Sequence, residues 1–242
     1  MEYYVVAKDK VNAEKNELII DGNEYRHLAK VLRKKAGDLL TLTDGELNVY
    51  FCKIINIDNS HIVCEIESKS YDLNEPELSM TLFIAPLRNM SRFEFLIEKA
   101  VELGVKAIQP VLTEHTVVKF PFSKSKIDRF IKIISAAMSQ SQRCYMPEFR
   151  KAVSFSDMLK LTEMKKNKVA MYELSGDSAE INFDKKSKEL ELLIGPEGGF
   201  SEEEALTLIK DGWQLKSLGK RKLRAETAAV VSIYDIFSKY TF

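Results

Sequence analysis

Leu192-Leu193-Ile194-Gly195-Pro196-Glu197-Gly198-Gly199-Phe200-Ser201-Glu202-Glu203-Glu204 runs from an apolar segment through a glycine-rich turn into a helix start. Residues 190–194 read as a buried strand. Ser201 followed three residues later by Glu204 is capping-box spacing, so a helix is expected over 202–210. The glycines permit positive φ and let backbone amides approach a ligand closely, and Pro196 stiffens the turn. A strand that passes directly into a helix in this way is a unit of a parallel sheet, and the turn at its carboxyl end is the usual ligand position. An ordinary tight turn would use the same residues. Helix N-termini also attract phosphate. Against that, Glu197, Glu202, Glu203 and Glu204 place negative charge at the turn, and the Lys-Ser/Thr ending of a nucleotide loop is missing. A cationic ligand such as a sulfonium suits this acidity better.

Downstream lies a second segment, Leu218-Gly219-Lys220-Arg221-Lys222-Leu223-Arg224-Ala225-Glu226-Thr227-Ala228-Ala229. Four cations fall within five residues, directly before a small-residue helix start. A solvated basic loop accounts for them as readily as a site does. Around these two segments, strands are expected at 78–84, 106–112, 169–172 and 214–217. Helices are expected from Ser91, with Glu94 completing a capping box, to Gly104, and then at 125–141, 154–165 and 225–240. In the 125–141 helix Ile127, Phe130, Ile131, Ile134, Ala137 and Met138 are expected inward. Strand–helix alternation of this kind implies a parallel sheet covered on both faces, an α/β fold.

The first 70 residues have a different pattern. Strands are expected at 3–7, 17–20, 39–43, 47–57 and 61–68, with Asp44-Gly45 and Asp58-Asn59 as hairpin turns. One helix, 24–35, interrupts them, with Leu28, Val31 and Leu32 inward and Arg26, Lys30, Arg33, Lys34 and Lys35 outward. This describes a small β-barrel carrying a basic helix. The polar stretch 68–77, with Pro76, is the candidate linker. The expected domains are therefore 1–70 and 76–242.

With 45% apolar and 30% charged residues in 242, the chain has the composition of a globular protein. No apolar run approaches the roughly 20 residues of a membrane helix, and the N-terminus reads as a strand and not a secretory signal. A cytoplasmic, membrane-free protein is expected. Three cysteines and three histidines without metal-type spacing argue against a zinc site, and buried packing is the expected role of Cys52 and Cys64. Zero formal net charge means that any nucleic acid must be held by a local basic face.

Together, "LLIGPEGGFSEEE" (192–204) and "LGKRKLRAETAA" (218–229) resemble the bacterial enzymes that methylate N3 of a uridine in small-subunit ribosomal RNA. These belong to the SPOUT superfamily of knotted methyltransferases. "HLAKVLRKKAGD" (27–38), "IEKAVELGVKAIQPVLTE" (97–114) and "SAAMSQSQRCYMPE" (135–148) resemble further family segments in the right order. The resemblance implies a PUA-like N-terminal barrel that helps hold RNA. It also implies a C-terminal α/β domain with a deep trefoil knot, S-adenosylmethionine as cofactor, and a homodimer acting on ribosomal RNA or the small ribosomal subunit, with no metal.

Carried onto this sequence, the cofactor would be held by Leu174, Ile194, Gly195, Pro196, Glu197, Gly198, Gly199, Leu218, Gly219, Leu223 and Thr227. Arg224 and Arg143 would orient the uracil or stabilise its anion. Arg26, Lys30, Arg33, Lys34, Lys35, Arg88, Lys220 and Arg221 would contact RNA phosphates. Glu226 is expected to pair an arginine at a helix start rather than act as a base. Four positions depart from the family pattern: Asn89 for lysine, His115 for arginine, Ser139 for glutamate, and Arg26 for the first of two histidines. They leave open a related enzyme acting on transfer RNA at a ribose hydroxyl, or a non-catalytic RNA-binding assembly factor. A nucleotide-binding protein is a further alternative.

Overall fold

A computed structural model describes residues 2–118, 122–175 and 181–240. The chain forms two compact units, 1–75 with 135–146, and 76–134 with 147–242. The division expected from sequence carried 135–146 with the second domain; by its contacts this segment packs with the first.

The first unit is a six-stranded sheet of β1 (Tyr4–Val5), β2 (Val11–Asn12), β3 (Glu17–Ile20), β4 (Leu39–Thr43), β5 (Asn48–Ile57) and β6 (Ile62–Tyr71), in the order β1-β4-β5-β6-β3-β2. The β1–β4 pair is parallel and the rest are antiparallel. Register shifts at Phe51/Cys52 and Ile54/Asn56 bend the long β5–β6 ribbon, and the sheet curls around one core that includes Leu18, Leu28, Leu42, Ile54 and Ile62. Cys52 and Cys64 lie in that core, and burial pushes both thiols up to about 12. They are packing residues, as their strand positions suggested.

The basic helix differs from expectation. It begins with one α-helical turn, α1 (Gly22–Tyr25), and continues as π-helix over Arg26–Val31. The wider π turn, seen in the bond from Leu32 N–H to the His27 carbonyl (2.9 Å), breaks the 3.6-residue phase on which the inward triad was based. Leu28 is buried, but Val31 and Leu32 are exposed. Arg33, at φ 53°, ends the helix.

A buried ion pair closes this unit. Arg143 Nη2 lies 2.6 Å from Glu75 Oε2, with both side chains almost fully enclosed. Glu75 Oε1 also accepts from the Cys144 and Tyr145 amides at 3.0 and 3.1 Å. One carboxylate thus fastens the whole 143–145 turn.

The second unit holds a parallel sheet in the order β10-β8-β7-β12-β11-β13, with β9 also on β8. Its strands are β7 (Ser79–Ile84), β8 (Ala107–Leu112), β9 (Glu148–Phe149), β10 (Val153–Ser154), β11 (Lys168–Met171), β12 (Glu189–Ile194) and β13 (Gln214–Lys216). Its helices are α2 (Met90–Glu102), α3 (Lys124–Gln140, whose last residues belong to the first unit), α4 (Phe155–Thr162), α5 (Glu202–Lys210) and α6 (Ala225–Tyr240). Phe83, Ala170 and Leu193 meet Met158 of α4 and Leu208 of α5 on one face. The alternate residues Leu82, Ile84, Leu192 and Ile194 are buried on the other face, where α6 packs on β12 and α2 on α6. Both faces are covered, as the alternation implied.

Two details correct the expectations. α2 is capped by Asn89, whose Oδ1 accepts from Arg92 N–H at 3.2 Å, not by Ser91. Glu94 is therefore free of a capping box and pairs with Arg129 instead. Ile131 of α3 is exposed.

Replacing Glu75 by alanine would strand the buried Arg143 guanidinium. We expect a loss of about 3–5 kcal/mol in urea unfolding. A loss under about 1 kcal/mol, the worth of a surface pair, would contradict the role assigned to it.

Candidate active site

β12 pairs in parallel with β7 and β11, and β11 with β13. Ile194 is level with Ile84 and Met171, and Met171 with Lys216. The turns that follow these strands therefore leave the sheet side by side at its carboxyl edge, the usual ligand position in such sheets.

Three of these turns, after β11, β12 and β13, enclose a cavity of about 400 Å³. Of the expected cofactor residues, Leu174, Ile194, Gly195, Pro196, Glu197, Gly198, Gly199, Leu218, Gly219 and Leu223 all line it. Thr227 does not: Ala225 and Ala228 share the inward helical face of α6, and Thr227 falls off it and is exposed. Arg224 lines the cavity and is exposed at its edge. Arg221 lines it as well, whereas Lys220 lies outside on the exposed turn. Arg143, expected beside the uracil, belongs to the first unit, is buried, and has its guanidinium committed to Glu75.

The β12 turn is braced from several sides. The Phe200 ring packs beneath Gly195, where a Cβ would come within 3.1 Å of it. Glu197 Oε1 accepts from the Arg88 amide at 3.0 Å. The Ser201–Glu204 capping box forms as expected, and Glu204 Oε1 also accepts from the Glu114 amide at 2.9 Å. His115 Nδ1 lies 3.2 Å from the Gly199 carbonyl, which can only accept, so Nδ1 carries the proton. The β13 turn is tied to the β11 turn by Lys222 Nζ and Glu173 Oε1 at 3.3 Å.

These bonds correct the electrostatic reading of the sequence. Of the four glutamates only Glu197 lines the cavity, and its carboxylate holds a backbone amide. Glu204 braces the fold, and Glu202 and Glu203 sit in the first turn of α5. Lys216, Arg221, Lys222 and Arg224 also face the cavity, so its charge does not by itself select a cation. Sequence reasoning missed Tyr172, Glu173, Lys216 and Ser217 as lining residues. The signal was available, because 169–172 read as a parallel strand and its carboxyl end should carry a ligand turn.

The family model described as an RNA methyltransferase domain matches residues 74–236, and that of an RNA methyltransferase PUA domain matches 20–67. The chain is 32% identical to the ribosomal RNA small subunit methyltransferase E of Synechocystis, over 88% of this chain and 70% of that one. It is 30% identical to that of Mesomycoplasma hyopneumoniae, over 91% and 94%. The chain belongs to the ribosomal RNA small subunit methyltransferase E family. Its fold matches the family enzyme of Neisseria gonorrhoeae, solved bound to S-adenosyl methionine, with a TM-score of 0.86 and 26% identity over 99% of this chain and 98% of that one. The first unit is thus the family's PUA fold and the second its α/β fold.

Two family departures have local explanations in their side chains, and a third, Ser139, has none. Asn89 caps α2, and His115 braces Gly199. Ser139 offers its carbonyl to the Tyr3 amide, a role any residue fills. Arg26 and Lys30 are exposed on the basic helix and Arg33 and Lys35 just beyond its end, while Lys34 is half-buried.

Glu204→Ala would orphan the Ser201 and Glu114 amides together. We expect a stability loss of about 1–3 kcal/mol in denaturant unfolding. An unchanged midpoint would show that the turn is held by other means.

Proposed function

We propose that this chain transfers the methyl group of S-adenosylmethionine to N3 of a uridine in 16S ribosomal RNA, in the cytoplasm. One observation carries the reading most directly: the turns 195–199 and 218–224, far apart in sequence, line a single cavity at the carboxyl edge of the sheet. The relatives' names, all of small-subunit ribosomal RNA enzymes, support this substrate over transfer RNA.

The residues fit the donor. A volume of about 400 Å³ suits a nucleoside-sized ligand. Leu174, Ile194, Leu218 and Leu223 supply apolar walls for a purine, and the glycine turns present backbone groups. Gly219, at φ 100°, adopts a conformation that few other residues tolerate.

When bound, the sulfonium supplies an electrophilic methyl, whose bond to sulfur breaks toward sulfur as the N3 lone pair forms the new carbon–nitrogen bond. The protein has no covalent step to perform. Its work is to hold uracil in line and to exclude competing geometries. N3 becomes nucleophilic only as its imide proton departs, which we assign to water. Arg224, a permanent cation at the cavity's edge, stabilises the negative charge left on O2 and O4.

We further propose that the PUA-like unit, 1–70, holds RNA phosphates through Arg26, Lys30, Arg33, Lys34 and Lys35, with Arg88, Lys220 and Arg221 adding contacts from the methyltransferase unit, 76–242. The chain is expected to thread a trefoil knot and to work as a homodimer. Val231 and Tyr234 are large apolar side chains exposed on α6, and they support a partner there.

The test is methylation of 16S RNA with nucleoside mass analysis, comparing wild type with Arg224→Ala. Wild type should yield 3-methyluridine. The variant should lose at least about 100-fold in turnover, with donor affinity by calorimetry kept within about threefold. Lost donor binding in a folded variant would move Arg224 into the cofactor site. A different methylated nucleoside would overturn the assignment to N3.

A further inference from the structure

A second cleft lies on the other side of the β12 turn. Arg88, Asn89 and Arg92 line it from the β7–α2 junction, and Glu114 and His115 from the turn after β8. Its remaining wall includes Glu197 and Gly198, which also line the donor cavity. Two clefts thus share one thin partition of two residues.

The cations of this cleft are arranged for use. The Arg88 amide is engaged by Glu197, while its exposed guanidinium forms no ion pair among the described residues. Arg92 Nε lies 3.6 Å from Oε1 of Glu226, a residue only 8% exposed in the first turn of α6. Glu226 is therefore the expected ion-pair partner of an arginine, and it approaches the Nε edge at a distance too long for a hydrogen bond. The other edge of a guanidinium keeps a donor pair suited to a phosphate. Of the carboxylates in the cleft, Glu197 is spent on the Arg88 amide; Glu114 is exposed at the rim.

We propose that this cleft seats the target nucleotide, with Arg88 and Arg92 taking its phosphate and the base crossing the Glu197–Gly198 partition toward the donor. This rests on the methyltransferase reading given above. The partition has the right scale: two residues span about 7 Å, comparable to the ribose that separates a nucleotide's phosphate from its base. Glu226, two residues beyond Arg224, is a positioning residue that links the two clefts. The same α6 start then presents one arginine to the base and orients a second toward the phosphate.

The experiment measures steady-state methylation of 16S RNA against salt, for wild type, Arg88→Ala, Arg92→Ala and Arg92→Lys, with donor affinity and melting temperature recorded for each. Each alanine variant should raise KM for RNA by about tenfold, the worth of one charge-assisted contact. It should also flatten the slope of log KM against log salt by about 0.7–0.9, as one phosphate contact is lost. Donor affinity should hold, and Arg92→Lys should recover most of the salt slope because it keeps the charge. An unchanged KM and slope in folded alanine variants would overturn the proposal, as would a KM effect with no change in slope. Binding of uridine 5′-monophosphate, followed by NMR shifts of the Arg88, Asn89 and His115 amides, tests the cleft apart from turnover. If wild type bound the nucleotide there but methylated nothing, the enzymatic reading would fail and the cleft would stand. Shifts confined to other residues would sink the cleft alone.

Discussion

The parallel pairing of β12 with β7 on one side and β11 on the other is the constraint from which the site follows. A strand paired on both edges and buried on both faces has little freedom to slide, because any slip would misplace a complete set of core side chains. Leu190, Leu192, Leu193 and Ile194 are all buried, so the register is set by packing as well as by hydrogen bonds. The level at which each strand ends is then determined, and with it the place where Gly195, Tyr172 and Ser217 leave the sheet. Two clefts arise because chain leaves the edge on both sides of β12: β11 and β13 build one, β7 and β8 the other.

What holds the turns is largely acidic side chains acting on backbone amides. Glu197, Glu204 and, in the other unit, Glu75 each accept from at least one backbone N–H, half-buried for Glu204 and Glu75 and exposed for Glu197. A carboxylate accepting such bonds is worth more than a surface ion pair, since a lost partner leaves a donor unsatisfied. This explains why an acidic turn sits at a cavity edged by four cations without selecting its ligand by charge. The glutamates fix backbone position, and Arg221 and Arg224 remain exposed where they line the cavity.

Much of this was legible in sequence because it was local. The Ser201–Glu204 capping box, the glycine turn and the strand–helix alternation each follow from spacing within a few residues. The sequence misreadings came from interactions that spacing does not contain. Val31 and Leu32 are exposed because a π turn altered the helical phase. Asn89 took the cap from Ser91 by lying one residue before α2. The ion pair of Arg143 was equally outside what spacing contains, since only the fold brings Glu75 to it from 68 residues away. The cleft of Arg88 and Arg92 was hidden for the same reason, since its far wall comes from β8 and β12.

The central claim is that the turns after β12 and β13 together enclose the methyl donor. A crystal structure of the protein grown with S-adenosylmethionine tests it most directly. The account predicts density for the donor between Gly195–Gly199 and Leu218–Leu223, with its methyl group toward the Arg224 edge. Density elsewhere on the chain, or a donor touching only one of the two turns, would contradict it.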